Sequence, residues 1–173
     1  SKENIKENDQ LLPLSNYSKN KIKTENFLKK KFKSNLKILR ISNIIGNKLI
    51  FKKKLHKTFI DIFYEKARKG LVYDNGKKYK DFLSIQKFSQ ILIILIKKDL
   101  KGTYNVSIGK KVYLNQIIAW LNKYNKRKLK IIKNNMSKDR SFYLNNKKLM
   151  SKIKIRNNLF ELKKDCLNLS KKL

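Results

Sequence analysis

The sequence predicts an α/β domain with a partly parallel sheet, and three observations lead there. Short apolar runs of strand length alternate with longer stretches whose apolar residues recur at helical spacing. Hydrophobic residues make up 40% and aromatics 10%, too apolar for a disordered chain despite its charge. The length, 173 residues, suits one domain or a large part of one.

Each element has its own warrant. Residues 1–12 are polar and read as a loop. Residues 16–33 carry helix signals: Ser15 is an N-cap residue type, and Ile22, Phe27 and Leu28 fall on one face. "LKILRI" at 36–41 reads as a buried strand, followed by a loop around Gly46. Residues 54–68 read as a helix, with Leu55, Phe59, Ile62 and Phe63 at helical spacing. "GLVYDNG" at 70–76 is a short strand running into an Asn-Gly turn. "KDFLSI" at 80–85 is extended, and 86–98 is a largely buried helix. "GTYNVS" at 102–107 is a strand after a glycine turn. Leu114, Ile117, Ile118 and Leu121 make 113–125 an amphipathic helix. "KLKIIK" at 128–133 is a strand, and helical pieces follow near 145–152 and 158–172. Strands alternating with helices point to parallel pairing.

Composition narrows the function. The longest apolar run, "ILIILI" at 91–96, is too short to span a bilayer. The single Cys166 excludes an internal disulfide and a cysteine-based metal cluster, and the cytoplasm is the default compartment. A net charge of +33 raises nucleic-acid binding as a first hypothesis. Yet only five of the 45 basic residues are Arg, the residue type suited to bidentate phosphate and base contacts. The lysines are spread along the whole chain, as are Asn and Ile, a pattern that A/T-rich codons produce without selection for a polyanion surface.

One spacing carries chemistry. Tyr17 and Lys21 stand four apart, so on a helix they share a face. An ammonium beside a phenol favours the phenolate, which equips a Tyr to trade protons near neutral pH. The spacing alone proves nothing. Composition gives about 2 such pairs by chance, and the chain has four, at Tyr17, Tyr73, Tyr124 and Tyr143. The surroundings distinguish the first. Pro13-x-Ser15-x-Tyr17-x-x-x-Lys21-x-x-x-Glu25 precedes a strand ending in Arg40-x-x-Asn43-x-x-Gly46. Then come Asp74-Asn75-Gly76, Lys80-Asp81-Phe82-Leu83, a hydrophobic helix, "GTYNVSIG" at 102–109, an amphipathic helix, and finally Asp139-Arg140 with "NNKKL".

In order and spacing this series resembles the C-terminal half of the NAD-dependent epimerase/dehydratase family, extended short-chain dehydrogenases that act on nucleotide sugars. The resemblance covers nearly the whole chain. It implies the C-terminal part of a Rossmann-like parallel sheet plus a small substrate-binding α/β subdomain. Residues 1–50 would end the Rossmann-like part, and 51–173 would be mainly the substrate-binding portion with returning Rossmann elements. It assigns Tyr17 as the acid/base and Lys21 as the residue that binds the nicotinamide ribose and tunes Tyr17. Both would contact the cofactor, NAD or NADP. It assigns Asn43, Lys80 and Arg140 to a nucleotide-sugar substrate and makes a homodimer one expected assembly. The family's catalytic Ser or Thr belongs upstream of the 16 residues that precede Tyr17. Its Gly-rich pyrophosphate turn is likewise outside the chain, since Gly46, Gly70, Gly76, Gly102 and Gly109 lack that spacing. The chain is therefore expected to be a fragment, incomplete for cofactor binding. Departures from the family pattern are Lys80 in place of Arg, Lys87 in place of Asp, and Asn47 in place of Pro. The alternatives are a lysine-rich nucleic-acid module without catalysis and a degenerate, inactive member in which Lys80 and Lys87 mark lost activity. Polyanions should bind non-specifically in any case. His56 reads as a surface or packing residue, and Cys166 and Trp120 as packing residues.

Overall fold

The computed structural model describes residues 3–46, 59–73, 76–126, 128–132, 141–155 and 158–172. Its elements run β1 (Asn4–Ile5), α1 (Asn16–Phe32), β2 (Lys37–Ile41), β3 (Asn43–Ile45), α2 (Phe59–Arg68), β4 (Val72–Tyr73), β5 (Tyr79–Lys80), β6 (Phe82–Ser84), α3 (Ile85–Lys97), β7 (Gly102–Val106), β8 (Val112–Tyr113), α4 (Leu114–Asn122), β9 (Ile131–Ile132), β10 (Tyr143–Leu144), α5 (Lys147–Met150) and α6 (Phe160–Ser170). Four strand pairs are parallel: β1 with β10, β2 with β7, β3 with β6, and β4 with β9. The fifth, β5 with β8, is antiparallel. The α/β class with partly parallel pairing is as the sequence predicts.

Local chemistry explains the helix starts. Ser15 accepts from the Ser18 N–H at 3.2 Å, and the Ser15 N–H donates back to the Ser18 hydroxyl at 3.0 Å, a reciprocal capping box. Ser84 caps α3 by accepting from the Gln86 N–H at 3.2 Å. On α4, all four residues of the predicted apolar stripe are buried.

The apolar residues form two clusters. One joins α4 and α6 to β3 and α2 through Ile45, Ile60, Phe82, Ile117, Leu121 and Leu162, with Cys166 buried inside it and Trp120 half-buried at its margin. The other lies under α3 and β7, built from Leu83, Ile91, Leu95, Tyr104, Val106 and Leu149.

Several expectations are corrected. β2 forms over the predicted strand, but its residues are half-buried or exposed. Among the described residues it has one strand neighbour, β7, and α1 buries nothing against it. Phe27 is 61% exposed and leaves the α1 face to Ile22 and Leu28, which are half-buried. Among the described side chains of α2, Ile60 and Tyr64 are buried and Ile62 is exposed, while the side chains of Phe59 and Phe63 lie outside the description. The loop expected after residue 41 holds β3, and the loop 1–12 holds β1. Leu55, His56, Asn47 and the Asp74-Asn75 turn lie outside the described residues. No helix among the described residues is long and apolar enough to cross a membrane.

Candidate active site

The site is built where the chain changes partner. β2 pairs with β7 as far as Ile41, and β3 pairs with β6 from Asn43. Between them, the Ser42 N–H donates to the Val106 carbonyl at 3.1 Å and the Asn43 N–H to the Asp81 carbonyl at 3.3 Å. A crevice opens at such a divergence, beyond the C-terminal end of a parallel strand. Here it is an open cavity of about 910 Å³, lined by Tyr17 and Lys21 from α1, Arg40 through Asn43 from the β2–β3 switch, Lys80 and Asp81, and Phe142 with Leu144.

Four of the five sequence-predicted site residues therefore converge. Tyr17 is 72% exposed, with the Lys21 Nζ 5.5 Å from its ring centroid, a cation–π geometry that holds the pair together on one helix face. Asn43 turns its side-chain amide back to the Asp81 carbonyl at 3.0 Å, which fixes it at the cavity wall. Lys80 is half-buried there, at the end of β5. Arg140 lies outside the described residues. The cavity gathers three cationic side chains, Lys21, Arg40 and Lys80, around an exposed phenol. That combination suits an anionic ligand with a hydroxyl to be deprotonated. Among the described residues no cluster of His, Cys, Asp and Glu could hold a metal ion.

The structure adds residues that sequence reasoning missed. Asp81 is buried in the floor of the site. Its carboxylate accepts from the Ile108 N–H at 3.2 Å and the Leu144 N–H at 3.0 Å, so one side chain ties β10 and the loop after β7 to the cavity. Burial pushes its pKa up to about 6, against the downward pull of these hydrogen bonds. The signal was available: an acid between strand residues in a chain with 12 acidic residues in all. The loop it braces requires Gly109. That residue has φ +72°, and a Cβ there would meet the Asn146 side chain at 2.5 Å.

Lys87 is placed away from this cavity. It is buried at the start of α3 and pairs with Glu161 of α6 at 2.8 Å, so the departure from the family's Asp is matched by a carboxylate on the facing helix. Lys87 is not among the residues that line the cavity. Exposed lysines lie on α1, α2, α3, α5 and α6, most densely on α1, where Lys19, Lys21, Lys23, Lys29, Lys30 and Lys31 are all exposed.

No protein-family model and no curated protein sequence matches the chain. Solved structures do. A UDP-N-acetylglucosamine 4-epimerase from Methanobrevibacter ruminantium, in complex with UDP-N-acetylmuramic acid, matches at 20% identity and a TM-score of 0.74, over 96% of this chain and 56% of that one. A UDP-glucose 4-epimerase from Bifidobacterium longum, in complex with NAD and UDP, matches at 14% identity and a TM-score of 0.72, over 98% of this chain and 58% of that one. A dTDP-glucose 4,6-dehydratase from Bacillus anthracis, in complex with NAD, matches at 17% identity and a TM-score of 0.70, over 98% and 56%. The chain thus spans little more than half the length of the structures it matches. These neighbours are enzymes of the kind the sequence resembles, and none of the three is a nucleic-acid-binding module. The chain has the Rossmann-type fold of the nucleotide-sugar epimerases and dehydratases, over the part of that fold that it spans.

Proposed function

We propose that the chain is the C-terminal portion of an NAD(P)-dependent nucleotide-sugar epimerase, dehydratase or reductase, with residues 1–50 closing the Rossmann-like part and 51–173 forming mainly the substrate-binding portion. The observation that carries this reading is the convergence of Tyr17, Lys21, Asn43 and Lys80 on one cavity, in a fold whose solved neighbours act on sugar nucleotides.

The chain's own residues divide the work. Tyr17 exchanges a proton with a sugar hydroxyl through an exposed phenol on an open helix face. Lys21, one turn further on, keeps a cation beside that phenol and is the residue to meet the nicotinamide ribose. The open cavity and the cation beside the phenol fit the ribose end of a dinucleotide. NAD(P), when bound, supplies the hydride acceptor or donor. Asn43 and Lys80 line the cavity wall where a substrate diphosphate would be held, and the family resemblance assigns Arg140 to the same diphosphate. Lys80 offers a point charge where an Arg would offer a fork, so orientation of the diphosphate is looser here than with a bidentate partner.

Uridine diphosphate titrated into ¹⁵N-labelled protein tests the reading. Amide signals of Tyr17, Asn43 and Lys80 should move together and saturate, whereas inorganic pyrophosphate at equal ionic strength should perturb lysines across the surface. The same dispersed pattern for both ligands would overturn the assignment.

A further inference from the structure

The Tyr17–Lys21 pair stands on a helix that apolar packing does not lock. α1 buries no residue. Its half-buried stripe is Ser18, Ile22, Glu25 and Leu28, with a carboxylate in the middle. Glu25 lies one turn beyond Lys21 and two beyond Tyr17, on the same side of the helix.

That carboxylate is gripped by Arg40 at the end of β2. The guanidinium donates from Nε to Oε2 at 3.1 Å and from Nη2 to Oε1 at 2.6 Å, a two-point fork. A third donor, Nη1, reaches the Glu7 carbonyl at 2.9 Å in the segment before α1. Glu7 in turn accepts from the Asn105 N–H of β7 at 3.0 Å. The side chains of the pair are 12% and 17% exposed, so solvent screens them little. Burial alone pushes the Glu25 carboxyl up, but Arg40 and Lys29 more than offset it and the net shift is downward. Arg40 lines the cavity, whereas Glu25 does not.

We propose that the Glu25–Arg40 fork positions the Tyr17–Lys21 pair, setting the rotation and height of α1 on β2 so that the pair faces the cavity. The proposal rests on the functional reading of that pair. A planar fork restrains both rotation and distance, which a single lysine contact does not. With no fully buried residue on α1 and only Ile22 and Leu28 half-buried among its apolar residues, this contact is the strongest polar restraint that the described residues place on the helix. Glu25 and Arg40 are positioning residues, acting through Tyr17 and Lys21.

The test is Glu25→Gln, which leaves every cavity-lining side chain in place. Amides of residues 18–28 should exchange about tenfold faster, while those of β3, β6 and α4 keep wild-type protection. The ring signals of Tyr17 in ¹³C-tyrosine-labelled protein should move. Glu25→Asp, which keeps the charge but shortens the reach, should fall between, and Arg40→Lys should recover part of the protection lost in Arg40→Met. Unchanged α1 exchange with an unmoved Tyr17 signal would overturn the proposal, as would an even loss of protection along the whole chain. These readouts need no turnover. If nucleotide sugars prove not to bind, the functional reading fails while the exchange result still decides whether the fork orders α1.

Discussion

Replacing Asp81 by Asn separates the electrostatic cost of that buried carboxylate from its bracing role. The folded protein raises the Asp81 pKa from 3.8 to about 6 because burial disfavours the charged form. A raised acid binds its proton more tightly folded than unfolded. Its contribution to stability is therefore complete below pH 3.8 and is lost as pH rises through about 6. Two pK units correspond to about 3 kcal/mol. Asn at this position stays neutral but offers one acceptor oxygen to the Ile108 and Leu144 N–H groups, so one buried donor is orphaned at a cost of about 1–3 kcal/mol. That second cost does not depend on pH. The assay is urea unfolding followed by circular dichroism, for wild type and Asp81→Asn, from pH 3.5 to 7.5. The difference, variant minus wild type, should rise by about 3 kcal/mol across the window and be half complete near pH 5. Other titrating groups are common to both proteins and cancel. A pH-independent difference would mean that burial and the hydrogen bonds cancel and leave the Asp81 pKa at its unfolded value, and a difference that falls with pH would mean that the hydrogen bonds outweigh burial; either result overturns this prediction.

Three further outcomes are expected. Burial also raises the Asp165 carboxyl, with the Ser84 hydroxyl only partly offsetting it, so Asp165→Asn should match wild type in acid and melt a few degrees higher at pH 7, as thermal scans at both pH values will show. Lys87→Met leaves Glu161 without its shielded partner and should cost about 2–3 kcal/mol in a denaturant titration, whereas the double change with Glu161→Leu should recover most of the loss. At +33, the protein should bind duplex DNA at low salt and release it by physiological salt without sequence preference in a fluorescence-anisotropy titration; tight binding to one sequence at that salt would contradict a charge coat set by composition.

The fold was legible where local chemistry decides it. Ser15 and Ser84 announce helix starts through side-chain caps, and the α4 stripe of Leu114, Ile117, Ile118 and Leu121 reads directly as a buried face. What was not legible depends on distant partners. β1, β8 and β10 are two residues each and exist only because a strand far along the chain pairs with them; no propensity over two residues could signal that. β3 follows the partner change at Ser42, which is a property of the assembled sheet. Tyr17, Lys21, Asn43 and Lys80, which line one cavity, were singled out through an ordered series of spacings, because each alone is common in a lysine-rich sequence. Asp81, Arg40 and Glu25 were in that same series without a role. Their work is to hold other groups in place, and it becomes visible only when the hydrogen bonds they make across the fold are known.

Proton transfer by Tyr17 is tested by comparing the four Tyr-x-x-x-Lys pairs through single substitution to Phe, in an enzyme in which this chain is joined to the cofactor-binding half of a relative. Tyr17 lines the cavity, with Lys21 over its ring, and among the described side chains neither Tyr124 nor Tyr143 does; Tyr124 is half-exposed just after α4, beneath Lys171. Tyr17→Phe removes one exposed hydroxyl and should leave the thermal midpoint unchanged while cutting turnover of a nucleotide sugar by roughly 10²–10⁴. Phe at 73, 124 or 143 should change turnover little. Equal turnover for Tyr17→Phe and wild type, or equal losses at all four positions, would contradict the account.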